Sequence, residues 1–228
     1  MSEYFNQLIF GFYPYIVLGV FITGNILRYK NEQESWHAGS TQLLSNSRAM
    51  RIGSNLFHFS IITLFFSHLF GLLTAKGIYT LFLTVETKQF LAMTLGGISG
   101  AICFIGMTIL VIRRFKDPRV RAVKTKMDNL VLLLIYTELI IGLLTILVSA
   151  EHPKGSSMIA LANWAQYIVL FRVDAADFVF EQNIIFKLHL FFGMTIFLIF
   201  PFSRLVHIWS IPLGFLFRKN RQIVRKRG

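Results

Sequence analysis

Cysteine is almost absent from this chain of 228 residues, where Cys103 is the single example. One cysteine excludes an intrachain disulfide and also the C-x-x-C-H motif that attaches c-type haem covalently. Acidic residues are scarce too, with 11 Asp and Glu against 23 Lys and Arg. The residues before the first apolar run contain no Lys or Arg and no small-residue cleavage site closes that run, so we expect it to be retained rather than removed as a signal peptide.

Hydrophobic residues are abundant, making up 54% of the chain, and the mean hydropathy is +0.60. We therefore predict one integral membrane domain over residues 1–228. Five apolar stretches are each long enough to cross a hydrocarbon core of about 30 Å at about 1.5 Å per residue. They are 8–27, 52–73, 90–112, 130–150 and 184–209.

Backbone amides inside lipid must be satisfied within their own segment, so these stretches predict helices. The expected fold is all-α, an integral membrane bundle of five transmembrane helices, with Pro14 and Pro201 as local kinks or bends. The connection between the fourth and fifth spans, 151–183, contains an apolar and aromatic segment at 158–171. We interpret that segment as an interfacial helix lying on the outer rim of the bundle.

The basic residues are concentrated on one side of this predicted bundle. Segments 28–51, 113–129 and 210–228 carry 17 of the 23 Lys and Arg residues. The positive-inside rule therefore predicts an outside N-terminus and a cytoplasmic C-terminus with a basic tail. This placement explains the +12 charge without nucleic acid, although a basic inner surface could also dock an acidic partner subunit or lipid head groups; ordinary solvated loops are the alternative.

Four of the six histidines lie inside the second and fifth apolar stretches. An ionisable side chain in hydrocarbon needs a partner or a metal, and imidazole is both the commonest metal ligand and an axial ligand of haem iron. If the two helices are antiparallel neighbours, equal depths pair His68 with His189 toward the outer side and His58 with His207 toward the inner side. His37 and His152 fall in loops and are treated as ordinary polar residues.

These pairs predict two bis-imidazole haem sites, one near each face of the membrane. Eighteen residues separate His189 from His207, which at about 100° per residue returns to the same helix face. Small residues near the histidines could let a flat macrocycle approach the backbone, or could simply aid helix packing; they are Gly53, Ser54, Ser67, Gly71 and Gly193. A zinc or di-iron site fits less well, because it would want carboxylate or thiolate ligands as well.

Other polar residues in or near the spans have two interpretations each. Arg204 precedes His207 by three residues, which suits a bidentate contact with a haem propionate or, alternatively, with lipid phosphate. Lys187 and Arg172 are weaker candidates for the same role at the outer face. Glu138 is interpreted as a protonated, hydrogen-bonded packing residue, with a proton route as the alternative. The run GGISGA, 96–101, predicts a helix contact.

Several segments together resemble the gamma subunit of bacterial respiratory nitrate reductase. The resemblance lies in NLFHFSIITLFFSHLFGLL and KLHLFFGMTIFLIFPFSRLVHIWSIP, with the early YPYI and the WAQ of the outer connection. It spans nearly the whole chain. The specific signals are the spacing of His58 from His68, the spacing of His189 from His207, and the run FPFSRLVHIWS.

That resemblance implies a membrane cytochrome b with two haem b groups in the bacterial cytoplasmic membrane. Such a subunit oxidises menaquinol or ubiquinol near its outer haem and passes electrons to an iron-sulfur beta subunit and then a molybdenum-containing alpha subunit. By position, His68 and His189 would hold the distal haem, and His58 and His207 the proximal one. Lys88, in ETKQFLAM, matches the quinol-site lysine, and an ammonium there can donate a hydrogen bond to a quinone oxygen. Ser67 stands where the resemblance leads us to expect glycine.

Two rival functions remain open at the level of the sequence. One is a di-haem quinol-oxidising subunit of another respiratory complex, such as a formate dehydrogenase or a sulfur-cycle reductase. The other is a transporter or proton-conducting bundle in which the histidines and Glu138 form a relay. That reading predicts a colourless protein, and the chain shows no inverted repeat of the kind that transporters use.

Overall fold

The computed structural model describes residues 2–32, 36, 41, 44, 47–151 and 155–210, and its secondary structure there is helical. Five of the described helices are long and apolar enough to cross a membrane, which confirms the number of predicted spans. The first to fifth spans are Glu3–Asn31, Arg48–Leu73, Val85–Lys116, Lys126–Ala150 and Ile184–Phe202. His37, His152 and the predicted tail beyond residue 210 lie outside the described residues.

The helices of the second, third and fourth spans begin before their predicted apolar stretches because polar residues cap them. Ser47 accepts a hydrogen bond from the Met50 amide at 3.1 Å, and Thr84 accepts one from the Thr87 amide at 3.2 Å. At the fourth span Thr125 and Asp128 form a reciprocal capping box. These side chains satisfy amides that a helix start leaves unpaired, so each helix begins about one turn before its hydrophobic run.

Pro14 changes the helical hydrogen bonding of the first span and leaves a carbonyl there for a donor from another segment. A π-helical segment, Gln7–Phe12, lies directly before Pro14. Because Pro14 has no amide hydrogen, the carbonyl of Phe10 loses its usual helical donor. The indole Nε1 of Trp164 donates to that carbonyl instead, at 2.9 Å and in the buried interior. The expected local kink at Pro14 is thus a π-helical turn anchored from the outer connection.

The predicted fifth span is wrong in its second half. We expected a helix over 184–209 with a bend at Pro201, but the α-helix ends at Ile199 and is followed by 3₁₀ segments, Phe200–Phe202 and Arg204–Ser210. Pro201 cannot donate to the carbonyl one turn earlier and its ring clashes there. Arg28 stabilises the break, since its Nη1 donates to the carbonyls of Pro201 and Ser203, both at 2.7 Å.

The outer connection contains the predicted helix, displaced by two residues to Ser156–Val169. We call it the loop helix. Trp164, Ala165 and Ile168 are buried in one hydrophobic cluster with residues of the first span and with the short turns that follow the loop helix. Gln166 donates to the carbonyl of Leu72 at 2.9 Å, at the end of the second span. The loop helix therefore packs across the ends of two spans; its location at a membrane interface stays a prediction.

The spans pack in the order second, third, fourth, fifth and first, judged by their direct contacts. The second and third spans approach closely at Gly106, where an added Cβ would lie 2.6 Å from the Phe57 amide nitrogen. The predicted contact at GGISGA is confirmed for Gly97 and Gly100, which face Ile146 and Leu143 of the fourth span. Between the second and fifth spans the structure shows a contact of the His68 and His189 rings.

Candidate functional site

The two histidines of the outer pair, His68 and His189, lie close together as the sequence predicts. The rings of His68, on the second span, and His189, on the fifth, have centroids 6.0 Å apart and planes inclined at 52°. Residues 121 positions apart in sequence are brought together by the packing of five helices. The structure thus places two imidazoles from different spans side by side within the bundle.

Three of the four predicted ligands are oriented by their own segments. Nδ1 lies 2.7 Å from the Ser54 carbonyl in His58, 2.8 Å from the Leu64 carbonyl in His68 and 2.5 Å from the Arg204 carbonyl in His207. A carbonyl oxygen can only accept, so Nδ1 carries the proton in each ring and Nε2 keeps its lone pair. An imidazole that donates one ring N–H and offers the other nitrogen is the usual form of a metal ligand.

His189 is held differently. Its Nδ1 lies 2.8 Å from Oε1 of Glu138, on the fourth span, and the two side chains are 23% and 15% exposed. The sequence singled out Glu138 as a packing residue with a proton route as the alternative, but it did not predict this partner. The signal that could have suggested it is that Glu138 and His189 are ionisable residues away from the ends of adjacent spans.

The inner pair is not joined in the same way. His58 is exposed on the second span, whereas His207 lies on the 3₁₀ segment after the break at Pro201. Within the described part of the chain, no ring contact links the two. The helical-registry argument for His189 and His207 therefore fails, because one α-helix does not carry both residues. Their pairing at an inner haem stays a prediction.

The residues at the outer pair fit an iron porphyrin. A metal bonded to two imidazoles at about 2.0–2.1 Å, the distance imidazole makes to zinc, requires ring centres roughly 6 Å apart, as observed here. Nδ1 of His68 donates to a backbone carbonyl and Nδ1 of His189 lies 2.8 Å from Oε1 of Glu138, which leaves Nε2 of each ring for a metal. Among the described residues no group of three or more His, Cys, Asp or Glu side chains assembles into a metal site; the donor set is a pair of imidazoles.

Lys88 lies beside the outer pair. Its ammonium donates to the carbonyl of Gly71 at 2.9 Å, and it sits 3.8 Å from the ring centroid of Tyr79. Gly71 is three residues beyond His68, so Lys88 reaches from the start of the third span to the end of the second. The last carbonyls of a helix lack donors, and a cation is favourable there. Burial raises the pKa of the Tyr79 phenol, so the ring beneath the ammonium stays neutral.

At the other end of the bundle, Arg204 has a partner that the sequence did not reveal. Its Nε lies 2.8 Å from Asp128 at the start of the fourth span, and Arg114 of the third span lies 3.3 Å from the other oxygen of Asp128. Asp128 also completes the capping box at Thr125. The T-x-x-D pattern was the available signal for this residue. The cluster of Arg204, Asp128 and Arg114 joins the third span, the fourth span and the 3₁₀ segment that carries His207.

The two weaker propionate candidates make other contacts. Lys187 is buried, and its ammonium donates to the Phe180 carbonyl at 2.5 Å. The guanidinium of Arg172 lies over the ring of Tyr167, 4.8 Å from its centroid. Both contacts are local to the outer connection and its junction with the fifth span.

The small residues near the histidines separate into different roles. Gly53 packs on Ile109 of the third span, whereas a Cβ at Gly71 would meet nothing within 4 Å. Ser54 contributes its carbonyl to His58. Gly193 makes room for Glu138, whose Oε1 would be 3.1 Å from an added Cβ. Helix packing thus explains Gly53 and Gly193, and the predicted approach of a macrocycle stays open for Gly71.

Fold and site together define a class: a polytopic helical membrane protein that brings paired imidazoles from separate spans toward one another. The chain belongs to the nitrate reductase gamma subunit family, whose model matches residues 6–227. It is 46% identical over 225 residues to the respiratory nitrate reductase 1 gamma chain of Escherichia coli K12, covering 99% of both chains.

Two further relatives agree. The respiratory nitrate reductase 2 gamma chain of the same strain is 46% identical over 227 residues, covering 100% of both chains. The nitrate reductase gamma chain of Bacillus subtilis strain 168 is 33% identical over 224 residues, covering 98% of this chain and 99% of the relative. Family and spans together make this chain a membrane subunit of an oxidoreductase complex, which confirms the resemblance drawn from the sequence.

Proposed function

We propose that this chain is the membrane-anchoring cytochrome b subunit of a respiratory nitrate reductase and that it oxidises quinol. The observation that carries the proposal is the approach of His68 and His189, whose ring centroids lie 6.0 Å apart with the planes inclined at 52°. Two haem b groups, when bound, would carry single electrons from quinol toward the cytoplasmic side of the membrane.

The histidines divide between an outer and an inner site. His68 and His189 would hold the haem at the outer site, and His58 and His207 would hold the haem at the inner site. His58, His68 and His207 would offer Nε2, because a backbone carbonyl accepts from Nδ1 of each. Nδ1 of His189 lies 2.8 Å from Oε1 of Glu138, so His189 would offer Nε2 as well. At the inner site Arg204 would pair with a haem propionate, and Asp128, 2.8 Å from its Nε, would restrain the guanidinium for that contact.

Quinol, either menaquinol or ubiquinol, binds at the outer side beside Lys88. Lys88 belongs to the third span, and its ammonium lies on the carbonyl of Gly71, three residues beyond His68 on the second span. From there the ammonium donates a hydrogen bond to a quinone oxygen. Oxidation of one quinol yields two electrons and two protons. The protons leave on the outer side and the electrons travel inward, so the reaction separates charge across the bacterial cytoplasmic membrane.

The electron acceptors are partner subunits on the cytoplasmic side: an iron-sulfur beta subunit first, then a molybdenum-containing alpha subunit that reduces nitrate. The basic inner connection between the third and fourth spans suits contact with an acidic surface of a partner. Membrane lipid surrounds the spans, whose outward faces expose large apolar side chains such as Phe59, Phe70 and Leu147.

Haem stoichiometry tests the proposal. We expect two protohaems per chain in the purified complex by pyridine haemochrome assay. His68→Ala and His189→Ala should each lower the ratio to one and abolish quinol-dependent nitrate reduction. His37→Ala and His152→Ala are matched controls and should keep both haems. A colourless complex, or an unchanged ratio in both ligand variants, would refute the assignment.

A further inference from the structure

Nδ1 of His189 faces a different kind of group from Nδ1 of the other three candidate haem ligands. His58, His68 and His207 each turn Nδ1 to a carbonyl of their own segment. His189 turns Nδ1 to a carboxylate of a neighbouring span, with Oε1 of Glu138 at 2.8 Å. The outer pair is therefore asymmetric, with a neutral acceptor behind His68 and an acid behind His189.

Two glycines, one on each helix, make room for this contact. Glu138 and Gly142 are one turn apart on the fourth span, and His189 and Gly193 are one turn apart on the fifth. A Cβ at Gly142 would lie 3.0 Å from Cε1 of His189, and a Cβ at Gly193 would lie 3.1 Å from Oε1 of Glu138. Gly142 thus leaves space for the His189 ring, and Gly193 leaves space for the Glu138 carboxylate. We call these four residues the clasp.

The environment of the clasp strengthens its electrostatics. Oε2 of Glu138 is buried and, within the described part of the chain, has no hydrogen-bond partner. The ion-pair contact that the described residues give this carboxylate is the one between Oε1 and Nδ1 of His189, at 2.8 Å. An acidic side chain is costly in an apolar span, and Coulomb interactions gain strength in the low dielectric of the interior.

Resting on the proposed function, we infer that Glu138 is a positioning residue for the outer haem: its carboxylate accepts the Nδ1 proton of His189, fixes the ring and makes Nε2 a more basic ligand. A carboxylate behind an imidazole ligand raises its basicity more than a neutral acceptor does. A more basic axial ligand favours the oxidised form of the iron, so Glu138 lowers the potential of the outer site relative to a carbonyl-backed histidine.

Two substitutions of Glu138, measured in the complete complex, test this inference. Glu138→Gln keeps an acceptor oxygen but removes the charge, and Glu138→Ala removes both. Thr137→Val is the matched control, since Thr137 is the adjacent exposed polar residue on the same span. The readouts are haem content, redox titration of each haem followed optically, and the low-spin ferric EPR signals.

In Glu138→Gln we expect both haems, an upward shift in the midpoint potential of the outer haem and a changed EPR signal for that haem alone. In Glu138→Ala we expect a further upward shift or selective loss of the outer haem. Outer-haem potentials and signals that match the unaltered complex in both variants would overturn the inference. So would an equal loss of both haems, or the same shift in Thr137→Val. Absence of haem from the unaltered complex would instead refute the proposed function.

Discussion

A histidine in a membrane span has two ring nitrogens to satisfy, and the acceptor chosen for one decides what the other can bind. In this chain, backbone carbonyls accept from Nδ1 of His58, His68 and His207, and Nδ1 of His189 lies 2.8 Å from Oε1 of Glu138. The residue types and their depths could be predicted from the sequence. The acceptor of His189 could not, because no local pattern links positions 138 and 189.

Lys88 has structural contacts in addition to its predicted role at the quinol site. The sequence predicts a quinol ligand, and the structure places the ammonium on the Gly71 carbonyl and over Tyr79. The two roles are compatible because an ammonium has three donors. Lys88 can therefore close the end of the second span and still donate to a quinone oxygen.

We predict that Lys88→Ala lowers kcat/KM for quinol by about tenfold or more while both haems remain. A hydrogen bond from a charged group contributes about 1.5–3 kcal/mol, and each 1.4 kcal/mol corresponds to about tenfold in rate. Steady-state quinol oxidation with haem quantitation measures this. Lys76→Ala, at the nearby exposed outer lysine, should leave turnover unchanged; normal turnover in Lys88→Ala would remove Lys88 from the quinol site.

At the scale of helices, glycine and proline decide how the spans meet and where they end. Pro14 frees a carbonyl that Trp164 takes, and Pro201 ends the α-helix that should have carried His207. The sequence indicated a disturbance at both positions. It could not tell a bend from a helix end, since that outcome depends on Arg28, a residue of another span that binds the carbonyls beyond the break.

Close contact between the second and third spans yields a stability prediction. Gly106→Ala would place a Cβ 2.6 Å from the Phe57 nitrogen and 2.8 Å from the Gly53 oxygen, so backbone must move. We expect a loss of about 1–3 kcal/mol, the usual cost of overpacking. Gly96→Ala is the control, as nothing lies within 4 Å of its added Cβ. Thermal unfolding in detergent compares them, and equal midpoints would contradict the packing described.

At the scale of the whole molecule, orientation follows from charge. Seventeen of the 23 basic residues lie in segments predicted to be cytoplasmic. With that predicted orientation, Lys88 and the His68–His189 pair would lie toward the outside and the Arg204–Asp128–Arg114 cluster toward the cytoplasm.

Cysteine labelling can test this orientation with little background, because Cys103 is fully buried. With a membrane-impermeant maleimide on intact spheroplasts, we expect Ser156→Cys to be labelled and Arg121→Cys to be protected. Both should react after lysis. The unaltered chain should stay unlabelled in both states. Labelling of Arg121→Cys but not Ser156→Cys before lysis would reverse the assigned topology.

The sequence by itself determined the number of spans, the placement of His58, His68 and His189 within them and the asymmetry of charge. These are local properties, because hydrophobic length and side-chain ionisation need no knowledge of distant residues. Only the tertiary structure decided which imidazoles meet, that Glu138 backs His189, that Asp128 holds Arg204 and that the fifth helix ends at Ile199. Each of these depends on how separate helices rotate and approach, and that geometry is set by packing between residues far apart in the chain.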